Sequence, residues 1–197
     1  MASSSPRRII LLQRLGLNFR VFPPTYEIDV KTDDPVERAE LKALEKARSV
    51  ARLFERGLVI GADTIVFMDN KEILEKPRDI DEAKNFLRKL SGRTHFVVTG
   101  LAIIDASNMR EIVDSEITKV KFRELSDEEI EFYVKTREPL DKAGGYAIQG
   151  LASLFVEKIE GDFWNVVGLP IPLLYYLLKT YFEYDILKES RQAISLI

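Results

Sequence analysis

Apolar positions along the chain fall into two rhythms that alternate. Between 36 and 55, Ala39, Ala43, Leu44, Ala47, Val50, Ala51 and Phe54 recur every three or four residues. That spacing predicts a long amphipathic helix, opened by Asp34-Pro35 and stopped at Gly57. A shorter helix over 7–15 follows Ser5-Pro6, with the serine as its cap, and stops at Gly16. Residues 58–67 form a continuous apolar strand broken only by Asp63-Thr64. Asp69-Asn70-Lys71 turns the chain into a short strand over 72–74, and 95–105 and 110–122 read as long strands joined by a tight turn at 106–109. Capping boxes, Asp79 with Glu82 and Ser126 with Glu129, open helices over 80–90 and 127–136. Short strands over 18–22 and 151–159, and a last helix over 170–181 before a charged tail, complete the reading.

Helices and strands alternate, yet a tight turn joins two of the strands. The expected fold class is therefore α/β (mixed α+β), with a mixed sheet flanked by helices. No repeat, low-complexity segment or Pro/Gly-rich linker divides the 197 residues, so a single domain is expected.

Composition narrows the chemistry. The chain has no cysteine and one histidine, His95. Disulfides, thiolate metal sites, thiol nucleophiles and multi-histidine metal centres are excluded, leaving carboxylates, lysines, arginines or a hard metal ion. With 29 Lys+Arg against 32 Asp+Glu, the formal charge of −3 disfavours a nucleic-acid partner. The apolar run 9–12 is too short for a signal peptide, and 166–178 is interrupted by Gly168, Pro170 and Pro172, so a cytoplasmic protein without a membrane partner is expected.

Ser5-Pro6-Arg7-Arg8 puts arginines in the first turn of a helix, where they oppose the macrodipole unless an anion binds there. The competing reading is a solvated basic helix start. Asp63, inside an apolar strand, is expensive to bury without a cation or several donors, unless it merely caps an exposed strand end. The stretch 138–150 concentrates Asp141, Lys142, paired glycines and Gln149, a set suited to close approach by a ligand, although an ordinary surface loop could share that composition. Lys46 lies on the shoulder of its helix's apolar stripe, and Lys76 sits before Pro77 in a rigid turn; each alone reads as a surface lysine. His95 reads as structural. No GxxxxGK[ST], no GxGxxG and no second aspartate two residues from Asp63 is present, which disfavours P-loop, Rossmann and haloacid-dehalogenase chemistry.

Six segments in register resemble the Maf family of nucleotide pyrophosphatases: Ser3-Ser4-Ser5-Pro6-Arg7-Arg8, Gly61-Ala62-Asp63-Thr64, Lys76-Pro77-Arg78-Asp79, Leu90-Ser91-Gly92-Arg93-Thr94-His95, the loop 141–150, and Asn165-Val166-Val167-Gly168-Leu169-Pro170. The resemblance implies an elongated fold with a cleft between two lobes, similar to inosine triphosphate pyrophosphatases. It implies metal-dependent cleavage of a nucleoside triphosphate to the monophosphate and pyrophosphate. Carried over by position, Asp63 matches the catalytic aspartate, and Arg7, Thr64 and Gln149 match positions associated with substrate choice. Ser5, Arg8, Lys46, Lys76, Asp141 and Lys142 match other cleft residues. Asp63, with Glu27 as the best match for a further acidic ligand, would hold a divalent metal, Mg2+ with Mn2+ as the alternative. Family members carry a short apolar strand before the Ser-Pro-Arg-Arg segment. Here only Met1 and Ala2 precede the serines, so weaker positioning of Arg7 is expected.

The loop's Asp-Lys-Ala-Gly and Ile-Gln-Gly form resembles the branch acting on dTTP and UTP, with 7-methyl-GTP as the alternative substrate. A Gln amide can donate to O4 and accept from N3–H of thymine or uracil, a complementarity guanine lacks in that order. The competing non-enzymatic reading is a nucleotide-binding regulator of septum formation. Residues 173–181 form a candidate homodimer surface.

Overall fold

The computed structural model describes the backbone at residues 1–24 and 30–194 and the side chains of those residues up to 190. Its helices are α1 (Pro6–Arg14), α2 (Pro35–Ala51), α3 (Ile80–Leu90), α4 (Asp127–Lys135), α5 (Phe163–Val167), α6 (Ile171–Phe182) and α7 (Ile186–Ile194). The strands are β1 (Leu58–Phe67), β2 (Ile73–Leu74), β3 (Thr94–Asp105), β4 (Arg110–Phe122) and β5 (Val156–Glu160), in the order β2-β1-β3-β4-β5. All four strand pairings are antiparallel. The parallel component of the expected mixed sheet is the isolated bridge between Ala2 and Gly61.

The alternation along β1 decides what faces what. Val59, Ile65 and Phe67 pack under α2 with Ala39, Ala43, Ala47 and Val50, whereas Ala62 and Val66 join the larger core containing α1, α3, α4 and α6 residues. Small residues let α2 lie directly on the sheet. A Cβ on Gly61 would sit 2.2 Å from the Ala43 carbonyl oxygen, and one on Gly100 would sit 2.3 Å from that of Ala39. Asp34 fixes the start of α2 by accepting from the Val36 and Glu37 amides.

Several expectations are corrected. Residues 18–22 form no strand; Phe22 N–H donates to the Met1 carbonyl, and among the described residues no strand pairs with this segment. Ala2 N–H donates to the Ile60 carbonyl at 2.7 Å, which seats the segment before the serines beside β1. Residues 151–155 coil as a 3-10 turn before β5, since the Leu151 amide is drawn to the Glu138 carboxylate. Ser5 occupies the cap position of α1 without a side-chain capping bond. Glu82 completes no box with Asp79, because its carboxylate takes the Arg78 amide and guanidinium. Helix α2 ends at Ala51, before the expected 55, while α5 and α7 arise where no helix was expected. In the segment 173–181, Leu174, Leu177 and Leu178 are buried and Tyr176 is exposed. Among the described residues no helix is long and apolar enough to cross a membrane.

Candidate active site

The edge of β1 opposite β3 carries two separate partners, Ala2 at Gly61 and β2 from Val66 onward. Between them, residues 62–65 have no strand pairing on that side among the described residues, and a cleft of about 290 Å³ opens there. Because this is a sheet edge, side chains from both faces reach the same cleft. Asp63 turns toward α2 and Thr64 toward α1 and α5, and both line it.

Asp63 Oδ1 accepts from the Lys46 ammonium in a half-buried ion pair. Burial lowers the Lys46 pKa, opposed by Asp63. The close approach of α2 at Gly61 and Gly100 is what brings Lys46 to this carboxylate. Arg8 is buried and joins three segments: Nε donates to the Gly168 carbonyl at 2.6 Å, Nη1 to Ser3 Oγ at 3.2 Å and Nη2 to Thr64 Oγ1 at 2.9 Å. Burial pulls its pKa down to about 10, offset in part by Asp63, and it stays charged at neutral pH.

The opposite wall is the loop after α4. Gly144 N–H donates to the Glu75 carbonyl, and its φ of 69° with Val66 Cγ1 only 2.8 Å from a built Cβ makes glycine necessary there. Glu138 braces the loop through Tyr133 Oη and the Leu151 amide. Lys142 Nζ donates to the Glu138 carbonyl and to Asp141 at 2.5 Å. Burial would raise the Asp141 pKa, but Lys142 and the nearby charge of Arg7 outweigh it and hold it below the ordinary value.

Every sequence-predicted site residue except Glu27 lines this cleft, including Ser5; Glu27 lies outside the described residues. The cations divide into two groups. Arg8, Lys46 and Lys142 are committed to protein acceptors, whereas the side chains of Arg7 and Lys76, like the neutral amide of Gln149, make no hydrogen bond or ion pair among the described residues and remain available to a ligand. Five cations against two carboxylates make this a site for a polyanion. Sequence reasoning missed Ser3 and Gly168 as partners of Arg8, although both lie in segments that carried the resemblance, and it missed Tyr146 in the cleft wall.

Tyr146 Oη lies 2.8 Å from His95 Nε2, and burial lowers the His95 pKa to about 3, in keeping with a structural role. The sign follows from the two states. Between the free imidazole value near 6.5 and about 3, the unfolded chain takes up a proton that the folded chain refuses, so stability falls as pH falls through that window. This group should remove about 1.4 kcal/mol per pH unit there. Denaturant midpoints of the unsubstituted chain and His95→Phe, followed from pH 7 to pH 5, should converge as the pH drops.

The donor chemistry suits a hard cation. The cleft offers carboxylate and hydroxyl oxygens, with no cysteine in the chain and its one histidine walled off in the core. Among the described residues no group of three His, Asp or Glu could hold a metal by itself. Mg2+ commonly uses one or two carboxylates, substrate phosphates and waters, so Asp63 fits such an ion better than it fits zinc.

The family model for Maf-like proteins matches residues 1–181. A dTTP/UTP pyrophosphatase of Alkaliphilus oremlandii is 50% identical over 189 residues, covering 95% of this chain and 97% of that protein. Proteins of the same name from Aquifex aeolicus (49% identity, 91% of this chain and 93% of that one) and Staphylothermus marinus (44%, 96% and 92%) match comparably. A solved nucleoside-triphosphatase, the dITP/XTP pyrophosphatase of Mycobacterium abscessus, aligns at TM-score 0.41 and 17% identity over 61% of this chain and 70% of that one, too distant a likeness to argue from.

Proposed function

Because the chain belongs to the Maf-like protein family, we propose that it is a nucleoside triphosphate pyrophosphatase acting on dTTP and UTP, releasing the nucleoside monophosphate and pyrophosphate. The observation that carries this reading is a carboxylate, Asp63, held by Lys46 in a cleft whose uncommitted groups are Arg7, Lys76 and Gln149. A polyphosphate meets cations, a pyrimidine edge meets an amide, and one carboxylate remains beside them for the water.

Arg7 and Lys76 neutralise the triphosphate, and the backbone amides at the start of α1 add donors of the same sign. Lys46 fixes Asp63 through Oδ1, which leaves Oδ2 for the attacking water or a cation. Asp63 orients that water and accepts its proton. Asp63 would hold a divalent cation such as Mg2+, which would supply charge neutralisation on the leaving pyrophosphate. Lys142 and Asp141 hold the loop that presents Gln149, whose amide donates to O4 of the base.

Pyrophosphate release measured with dTTP, UTP, CTP and 7-methyl-GTP in one panel tests the proposal. Turnover of dTTP and UTP well above the other two is expected. A preference for 7-methyl-GTP would transfer the chain to the alternative substrate, and binding without release from any nucleotide would defeat the enzymatic reading.

A further inference from the structure

Thr64 and Thr99 are direct cross-strand neighbours on β1 and β3, on the face away from α2. Their hydroxyl oxygens lie 2.9 Å apart, and within that pair either could donate. The flanking groups settle the direction. Thr99 Oγ1 lies 3.0 Å from the main-chain carbonyl of Asn165, which can only accept, and a hydroxyl has one hydrogen. Thr99 therefore donates to Asn165 and accepts from Thr64. At the other end Arg8 Nη2, which can only donate, meets Thr64 Oγ1 at 2.9 Å. Every proton in the series Arg8, Thr64, Thr99, Asn165 points from the cleft into the core, and such series strengthen their own members.

The anchor of this series is rigid. Asn165 is fully buried, and its side-chain amide donates to the Val97 carbonyl and to Thr118 Oγ1, each at 2.9 Å. Its carbonyl also accepts from the Gly168 amide at 2.9 Å. Thr64 lines the cleft with its proton already given away and one lone pair already taken by Arg8. Its remaining capacity is a single acceptor position.

We infer that Thr99 is a positioning residue for substrate choice: by holding the only proton of Thr64, it makes Thr64 an acceptor toward the cleft, which favours a base whose ring nitrogen carries hydrogen. Uracil and thymine present N3–H. Cytosine presents a bare N3, an acceptor against an acceptor, on the same sugar and triphosphate. The inference rests on the pyrimidine reading above and divides the base edge between two residues: the Gln149 amide donates to O4, and Thr64 takes N3–H.

Thr99→Val keeps the branched shape and removes the acceptor, while the Asn165 carbonyl retains its bond from Gly168. The Thr64 proton is then free to turn into the cleft. The kcat/KM ratio for UTP over CTP should fall about five- to tenfold in Thr99→Val, roughly the worth of one hydrogen bond. The fall should come mainly from improved CTP turnover, and Thr99→Ser should restore the ratio. A purely structural role would scale both nucleotides together. An unchanged UTP/CTP ratio in Thr99→Val, or a Thr99→Ser variant that behaves like Thr99→Val, overturns the inference while the function stands. No pyrophosphate from UTP or dTTP with the unsubstituted chain would overturn the functional reading and this inference with it.

Discussion

Asp63→Asn should reduce kcat for UTP and dTTP by about 10²- to 10⁴-fold, the range expected when a positioned proton acceptor is lost. Asparagine matches the shape of aspartate and can still accept from Lys46 at one oxygen, so the fold and the ion-pair position should survive. What disappears is the negative charge that takes up the water's proton. Nucleotide binding should change far less than turnover, because the phosphate contacts assigned to Arg7 and Lys76 do not involve Asp63. Steady-state kinetics with nucleotide binding measured by calorimetry separates the two; turnover at the native rate would remove Asp63 from the mechanism.

The largest effect on stability should come from Arg8→Lys. Lysine keeps the charge, but one ammonium cannot serve Gly168, Ser3 and Thr64 with the planar geometry of a guanidinium. Arg8 is buried, so stranded acceptors there are costly. A loss of about 3 kcal/mol follows from charged hydrogen bonds worth about 1.5–3 kcal/mol each, counted as strongly non-additive. For a chain of this size that lowers Tm by about 6–12 °C. Activity should fall with it, since Thr64 and the 166–168 segment both lose their tie to α1. A melting temperature unchanged from the native chain would show that Arg8 does not join these segments in solution.

What was legible in the sequence was local. The start of α2 follows from Asp34-Pro35, the bounds of α3 from Asp79 and Ser91-Gly92, and β1 from its apolar run, because caps, breakers and burial act within a few residues. Elements that depend on distant partners were not legible. Residues 18–22 carry a strand-like alternation, but their backbone hydrogen bonds go to Met1 rather than to a strand, and 151–155 are apolar yet coil because Glu138 takes the Leu151 amide. Helix α7 read as a charged tail because its tie, Ser190 Oγ to the Leu15 carbonyl, spans most of the chain.

The candidate site shows the same division. Charged residues in unusual places, Asp63 in an apolar strand and arginines at a helix start, drew attention without a structure, and the cleft brings them together. Thr99 and Asn165 could not be found that way. A buried threonine in an apolar strand has no sequence signature, and its contribution exists only through the contacts it makes with Thr64 and Asn165.

The central claim is that this cleft hydrolyses a pyrimidine nucleoside triphosphate between the α- and β-phosphates. Phosphorus NMR of the purified chain with UTP and Mg2+ follows every product at once. UMP and pyrophosphate appearing in equal amounts, without UDP or orthophosphate, is the result expected; UDP with orthophosphate, or UTP that binds and stays intact, would contradict it.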